Sequence, residues 1–412
     1  MTNAIQININ DFDYLLPEEK IAKYPLESRD NSKLLIMDGK SISQSTFKNI
    51  NNYLPANSLI VLNDSRVIKA RLLFTKETGS HIEIFCLEPA NPADYNMSLS
   101  SNNSCSWKCL VGNNKKWKSG EISKIVQIKD FVTKITATRI KSIGNTFEIL
   151  FTWDNKDILF SEILEAFGKT PIPPYLKRQS EEIDTTRYQT VYSKSKGSVA
   201  APTAGFHFTD EVFSLINQKN IHREYITLHV GAGTFHPVKA ENISEHQMHT
   251  EHFVISQSNI ENLIKFYGNI TVVGTTTVRT LESLFAVACK VFINKNIIDN
   301  HFFIEQWEAY RDVNQELRKD IVNLLKNLLE WMKANKFEQL NCITQIMIIP
   351  GYNFVFTNRL ITNFHQPKST LLLLLSAFIG NKWKEAYDYA LRNNFRFLSY
   401  GDSCLFLEGS DI

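Results

Sequence analysis

Between Ala70 and Phe151 the sequence alternates apolar and polar residues with a period of two, as in HIEIFCLE, KIVQIKDFVTKITATRI and NTFEILF. In extended chain that period puts successive side chains on opposite faces, and the abundance of Ile and Thr favours strands. No helical pattern interrupts the stretch. It is therefore expected to close on itself as about four to six antiparallel strands in a small β-barrel or sandwich.

On both sides of this insert the chain reads as mixed α/β. Ser58–Leu62 is an apolar run of buried-strand type, ended by the turn cluster Asn63-Asp64-Ser65. Helical signal returns at residues 161–167, and the Pro-rich PIPPYLKR follows as an extended linker. Ile270–Val273 is a short strand run followed by GTTT and a helical VRTLESLFAVA. VFTNRLITNF is a strand, followed by the loop HQPKST and an apolar helix, LLLLLSAFI. Residues 317–332 place Leu317, Ile321, Leu324, Leu325, Leu328 and Met332 on one helical face. The expected fold class is α/β: a larger barrel-like α/β domain with a smaller inserted antiparallel β-barrel. The expected boundaries are 1–68 with 156–412 for the first and 69–155 for the second.

Length and composition limit the function classes. With 412 residues, and roughly 150 per domain, two or three domains are expected. A net charge of +2 excludes nucleic-acid binding by bulk electrostatics, so any such partner needs a local basic patch. One exists. From Trp107 to Lys141 there are nine Lys/Arg against Glu121 and Asp130, interleaved with Trp107 and Trp117. Such a patch can track phosphates while aromatics stack on bases; the alternative is a solvated strand face. Six irregularly spaced cysteines read as reduced thiols. The N-terminus lacks the basic and apolar regions of a signal peptide, and the longest apolar run, Leu371–Ile379, is too short to span a bilayer. A cytoplasmic protein is expected.

Three segments share one design, a strand, a loop of small or hydroxyl residues, then a helix: GSVAAPTAGFHFT, GTTTVRTLES and FHQPKST. A helix N-terminus offers free N–H groups and partial positive charge, so each can hold a carboxylate or phosphate. The competing reading is plain N-capping by Thr276, Ser369 or Thr370. None matches a P-loop or a dinucleotide glycine fingerprint. Histidine is concentrated in LHVGAGTFHPV, with His229 and His236, and in HQMHTEHF, with His246, His249 and His252. His249 and Glu251 share a face if extended, which suits acid/base work. The spacing is not that of a zinc helix, and no metal is expected.

Eight segments, in order and nearly end to end, resemble the S-adenosylmethionine:tRNA ribosyltransferase-isomerase family of queuosine biosynthesis. They are DFDYLLPEEKIAKYPLESRDNSKLL, NDSRVIKARL, GSVAAPTAGFHFT, LHVGAGTFHPV, MHTEHF, VVGTTTVRTLES, PGYNFVFTNRLITNFHQPKSTLLLLLSAF and RFLSYGDSCLF. The chain departs from the family's basic Arg-Pro-Gly-Lys turn, where it has Val111-Gly-Asn-Asn-Lys115. It also carries a longer segment, 284–349, expected to be a surface elaboration or a partner contact.

The resemblance implies that S-adenosylmethionine is consumed as a co-substrate, with no prosthetic group. Its ribosyl group passes to the aminomethyl group of a 7-deazaguanine in the tRNA anticodon loop. The sugar isomerises to an epoxycyclopentanediol, adenine and methionine leave, and the product is epoxyqueuosine in tRNA. A base must remove a C5′ proton, an acid must assist adenine, and the methionine carboxylate wants Arg or a helix N-terminus. On this reading His249 with Glu251, or His365, does acid/base work, and Arg279 pairs a carboxylate or phosphate. Thr275, Thr276 and Thr277 bind ligand oxygens. Pro202, Thr203, Ala204 and Gly205 pass beside the adenosine, flanked by Phe206 and His207, with Gly231 and Gly233 nearby. Arg66, Lys368, Lys115, Lys116 and Lys118 contact tRNA. The partners are tRNA and S-adenosylmethionine, with no membrane, and a monomer is expected. The rival classes are a non-catalytic RNA-binding protein and a metal-dependent hydrolase using the His-rich segment.

Overall fold

The computed structural model describes residues 7–39, 41–231, 233, 238 and 240–407. His236 lies outside the described residues. A ten-stranded mixed sheet runs in the order His301–Ile304, Gln339–Thr344, Glu251–Ser256, His222–His229, Leu59–Asn63, Ile270–Val273, Arg359–Asn363, Ser403–Leu407, Lys33–Asp38, Ser41–Thr46. The four strands from His222–His229 to Arg359–Asn363 are mutually parallel.

Parallel strands need helical crossovers, so both sheet faces are covered and the strands read as continuous apolar runs. Leu59–Asn63 is buried at every position. Its Leu59 and Val61 face the larger core, with residues of the helices Gln257–Lys265 and Thr275–Ile293. Ile60 and Leu62 face the opposite core, with Val212, Phe213 and Ile216 of the helix Asp210–Gln218.

The segment 284–349 departs from expectation. It is not a surface elaboration. Its strands His301–Ile304 and Gln339–Thr344 extend the main sheet, pairing onto Glu251–Ser256. Its helix Ile321–Ala334 buries Leu324, Leu325, Leu328 and Met332 in the larger core against the helix Thr275–Ile293. The amphipathic stripe is therefore the packing face of a core helix.

The inserted unit is a six-stranded antiparallel sheet, in the order Arg71–Thr75, His81–Asn91, Ser104–Val111, Thr146–Trp153, Phe131–Ile143, Glu121–Ile128. It nearly closes into a barrel, and Lys124 Nζ on the last strand donates to the carbonyl of Leu73 on the first at 3.4 Å. Trp107, Phe151, Ile149, Ile135 and Ala137 fill its core. Trp117 is also fully buried, its Nε1 donating to the Gly120 carbonyl. Neither tryptophan is available for base stacking, which corrects the aromatic half of the basic-patch reading. Strand alternation points Trp107 inward, and Trp117 anchors a turn.

The long helix Thr275–Ile293 is tied in place by a buried carboxylate. Glu282 accepts from Tyr352 Oη at 2.9 Å, from the Val355 N–H at 3.0 Å and from the Phe356 N–H at 3.2 Å. Burial pushes its pKa up, partly offset by these donors and by Arg318. The turn PGYNF is held to the helix in this way. Replacing Glu282 with Ala strands two buried N–H groups and is expected to cost about 2–5 kcal/mol. Urea unfolding should show a lower midpoint at an unchanged slope.

Candidate active site

The loops that leave the carboxyl ends of the parallel strands converge on one cleft of about 780 Å³. This is where open α/β sheets place ligands, because crossovers that diverge to opposite faces leave a crevice there. Val230 follows His222–His229, Gly274 follows Ile270–Val273, and Phe364 and His365 follow Arg359–Asn363. The fourth wall is Ala200–Ala204, beyond the short strand Ser195–Ser198, which pairs parallel with Ser65–Val67. Thus all three strand–loop–helix segments of the sequence meet in one cavity.

Two helix N-termini open into this cleft. Gly274, at φ 90°, is the N-cap of Thr275–Ile293; the positive φ favours glycine and turns the first N–H groups outward. No side chain caps that end and no acid lies in its first turn. The helix Thr370–Ile379 is capped by Ser369, whose Oγ accepts from the Leu372 N–H, again with no acid in the first turn. The capping reading therefore holds at Ser369, while Thr276 and Thr370 are first-turn residues. The partial positive charge of both helices is left for a ligand.

His365 lines the cleft and is fixed on three sides. Its N–H donates to Tyr387 Oη at 2.9 Å, its carbonyl accepts from Tyr14 Oη, and Nε2 lies 3.0 Å from Thr362 Oγ1. Burial lowers its pKa to about 3, so the ring is neutral at neutral pH. Thr203 Oγ1 donates to Asn363 Oδ1 at 3.0 Å, joining two walls. Leu398, a bulky residue at φ 69°, also lines the cavity; such backbone costs roughly 1–3 kcal/mol and clusters at functional sites.

The other expected residues divide. Pro202, Thr203, Ala204, Thr275 and Thr276 line the cleft. Thr277 does not: its Oγ1 donates back to the Val273 carbonyl at 2.6 Å. Gly205 packs under Tyr192, whose hydroxyl would lie 2.0 Å from an added Cβ, so a side chain and not a ligand requires glycine there. Phe206 and His207 face a second cleft. His207 Nδ1 is 2.8 Å from Ser32 Oγ and its Nε2 3.2 Å from Asn363 Nδ2.

Arg279 is largely engaged within the protein, with only its Nη2 left without a hydrogen-bond partner among the described residues. Its Nη1 is paired with Glu251 Oε2, and its Nε donates to the Ile346 carbonyl at 3.2 Å. His249 Nε2 lies 3.3 Å from the other Glu251 oxygen. Burial alone would raise the Glu251 pKa, but Arg279 and then His249 overcome it and hold the carboxyl at about 2. The anion is permanent at neutral pH, and of the three side chains His249 is the most exposed, at 26%. Gly231 adjoins the cleft residue Val230, and an added Cβ on Gly233 would sit 2.4 Å from the His249 ring. Gly233 therefore admits the imidazole, whereas a Cβ on Gly231 would meet it only at 3.7 Å, an ordinary contact. His249, Glu251 and Arg279 lie outside the cleft lining.

His229 and His252 go elsewhere. His229 stacks on Tyr95 of the insert at 4.0 Å between centroids, and His252 meets the same ring edge-on at 5.6 Å. A further crevice, with His301 on its wall, opens beside them. Among the described residues no group of three or more His, Cys, Asp or Glu could hold a metal ion, and no helix is long and apolar enough to cross a membrane.

Lys115, Lys116 and Lys118 are exposed and, among the described residues, outside any ion pair, whereas Lys108, Lys129 and Lys141 are matched by Glu88, Glu162 and Glu148. Arg66 is exposed on Ser65–Val67. Lys368 stands beside the cleft, 3.0 Å from Asp13 Oδ2. Sequence reasoning missed Tyr175, Thr362, Asn363, Leu398 and Ser399, all on the cleft wall. Most lie inside quoted motifs, but their polar groups have no diagnostic spacing.

These features define a class: an α/β protein with a ligand cleft at the carboxyl ends of parallel strands and a β-barrel inserted beside it. The chain belongs to the queuosine biosynthesis protein family, whose model matches residues 9–406. A relative from Trichlorobacter lovleyi, named S-adenosylmethionine:tRNA ribosyltransferase-isomerase, is 35% identical over 403 residues, covering 96% of this chain and 99% of its own. One of the same name from Halothermothrix orenii is 37% identical, covering 97% of this chain and 100% of its own. A crystal structure described as an S-adenosylmethionine tRNA ribosyltransferase from Thermotoga maritima matches at 26% identity with a TM-score of 0.44, covering 96% and 100%. At that score the superposition fixes no residue correspondence.

The buried ion pair gives a pH-dependent prediction. Glu251 titrates below its ordinary value of 4.5, so its contribution is present above about pH 4.5 and is lost as pH falls towards about 2. Glu251→Gln leaves Arg279 as an unpaired buried charge and should destabilise the fold by about 3–5 kcal/mol at pH 7. In urea unfolding the gap between variant and wild type should narrow near pH 3.

Proposed function

We propose that this protein transfers and isomerises the ribosyl moiety of S-adenosylmethionine onto 7-aminomethyl-7-deazaguanine in the tRNA anticodon loop. The products are epoxyqueuosine in tRNA, adenine and methionine. The observation that carries the reading is the meeting of three small-residue loops and two acid-free helix N-termini in one cleft. Such a cavity suits a zwitterionic nucleoside: small residues let the backbone approach closely, and the helix ends favour its carboxylate.

With Arg279 engaged by Glu251, the donor carboxylate falls to the N–H groups and hydroxyls of Thr275 and Thr276. His365, neutral, with its backbone held by Tyr387 and Tyr14 and its ring by Thr362, is suited to hydrogen-bond a ligand rather than to carry a proton. His249 stands 3.3 Å from a fixed carboxylate that orients its imidazole, and it packs beside Gly231, the neighbour of the cleft residue Val230. We assign it the acid/base role. We read residues 69–155 as an inserted domain whose Lys115, Lys116 and Lys118 meet tRNA phosphates, with 1–68 and 156–412 as the catalytic remainder.

Incubation with S-adenosylmethionine and hypomodified tRNA should release free adenine and add the mass of the isomerised pentosyl group to the RNA. A gain of methyl mass alone, or no gain, refutes the reading. His249→Ala should lower adenine release by about 100-fold or more with tRNA binding unchanged. Replacing Lys115, Lys116 and Lys118 together with Ala should reduce the salt dependence of tRNA binding by up to about three in log–log slope.

A further inference from the structure

The second cleft, of about 290 Å³, is lined by Arg29, Arg187 and Arg396 together with His207, Ser399 and Tyr400. Three arginines share this wall; Arg396 is paired with Asp402, and the other acids nearby are already engaged. Asp402 accepts from Arg396 Nη2 at 3.0 Å and from the N–H groups of Lys33 at 3.0 Å and Arg396 at 2.8 Å. Asp184, beyond Tyr400, is held by both Nη atoms of Arg178 and by Tyr400 Oη. Asp30 is bonded to Ser28 and Thr209.

Arg29 and Arg187 have no carboxylate partner among the described residues. Arg29 Nη1 donates to the Gln189 carbonyl at 3.0 Å and Arg187 Nη2 to the Leu26 carbonyl. These carbonyls orient the groups without neutralising them. Arg187 Nε is buried with no hydrogen-bond partner among the described residues. Burial and the repulsion of Arg187 lower the Arg29 pKa, and His207 between them is held neutral by burial and by Arg396 and Arg29. A cluster of like charges, partly withdrawn from water and short of counter-ions, is costly unless an anion completes it.

The cleft also touches the candidate active site. Ser399 lines both cavities, and Asn363 joins Thr203 of one to His207 of the other. We propose that Arg29, Arg187 and Arg396 bind a backbone phosphate of the RNA strand whose base enters the first cleft. This rests on the function proposed above and deepens it. Guanidinium groups match phosphate oxygens in bidentate fashion, and a phosphate fixed beside the reaction cavity sets the register of the target nucleotide.

The test uses the full-length protein and a tRNA transcript containing the target anticodon, titrated over a potassium chloride series. Arg29→Gln and Arg187→Gln should each weaken binding roughly tenfold, as expected for loss of a charge-assisted hydrogen bond, and lower the salt slope by about one. The KM for S-adenosylmethionine should be unchanged, and Arg187→Lys should retain the slope. Anticodon hairpins carrying one methylphosphonate at each position in turn give a readout independent of variant folding: one position should weaken binding to wild type. Wild-type affinity and slope in both Gln variants, or no sensitive position, overturns the inference. A raised KM for S-adenosylmethionine with intact RNA binding also overturns it, giving the cleft to the donor carboxylate. Failure of the wild-type protein to bind tRNA at all would instead sink the underlying function.

Discussion

Four mutually parallel strands, the central two buried on both faces, set everything else. Parallel pairing sends every crossover back across the sheet, so every loop at the carboxyl edge must exit at the same end. The loops around residues 275 and 365 are thereby brought together, and the loop around 200 is added to them by the short strand Ser195–Ser198, which pairs with Ser65–Val67 just beyond the end of Leu59–Asn63. Cleft chemistry then follows from what those loops contain. Glycine at 274 exposes a helix end, Ser369 caps another, and small residues at 200–204 leave room.

The distribution of charge is the second constraint. The chain is nearly neutral overall, at +2, so attraction to a polyanion must be local. Arg279 illustrates how the fold withdraws charge from use. It lies one turn along the helix from the cleft threonines, where a free arginine would dominate ligand binding, yet Glu251 and the Ile346 carbonyl engage it. Its role is to lock the strand Glu251–Ser256 to the central helix and to keep Glu251 ionised beside His249.

The sequence disclosed the parts governed by local periodicity. The run at 59–62, the barrel strands and the helix beginning at Thr275 are each written in patterns of period two or 3.6. What stayed hidden depends on long-range pairing. The strands His301–Ile304 and Gln339–Thr344 are only four and six residues long, too short for their alternation to stand out, so their helix resembled an addition to the surface. The tryptophans of the basic insert were misread for a related reason: composition records that aromatics and lysines are neighbours in sequence, not that strand alternation separates them in space. The partner of Arg279 lies 28 residues away and could not be read from VRTLES alone. The candidate-site threonines at 275 and 276 were legible because strand–Gly–hydroxyl–helix is a local design, whereas Thr277 was lost to the helix's own carbonyl.

At and beside the cleft, positive charge is presented in three ways: by two helix ends, by Arg29 and Arg187 of the second cleft, which have no carboxylate partner among the described residues, and, on the insert, by the exposed Lys115, Lys116 and Lys118. Helix ends carry about half a charge each, enough for one carboxylate but not for a polymer. Arginine forks hold a phosphate in one orientation, while exposed lysines attract without fixing geometry. The three kinds of site are thus graded in precision, from diffuse capture to a fixed backbone to a small reacting ligand. That gradation is what the proposed reaction needs, since it must extract one base from a long anion and set it against a nucleoside in the adjoining cavity.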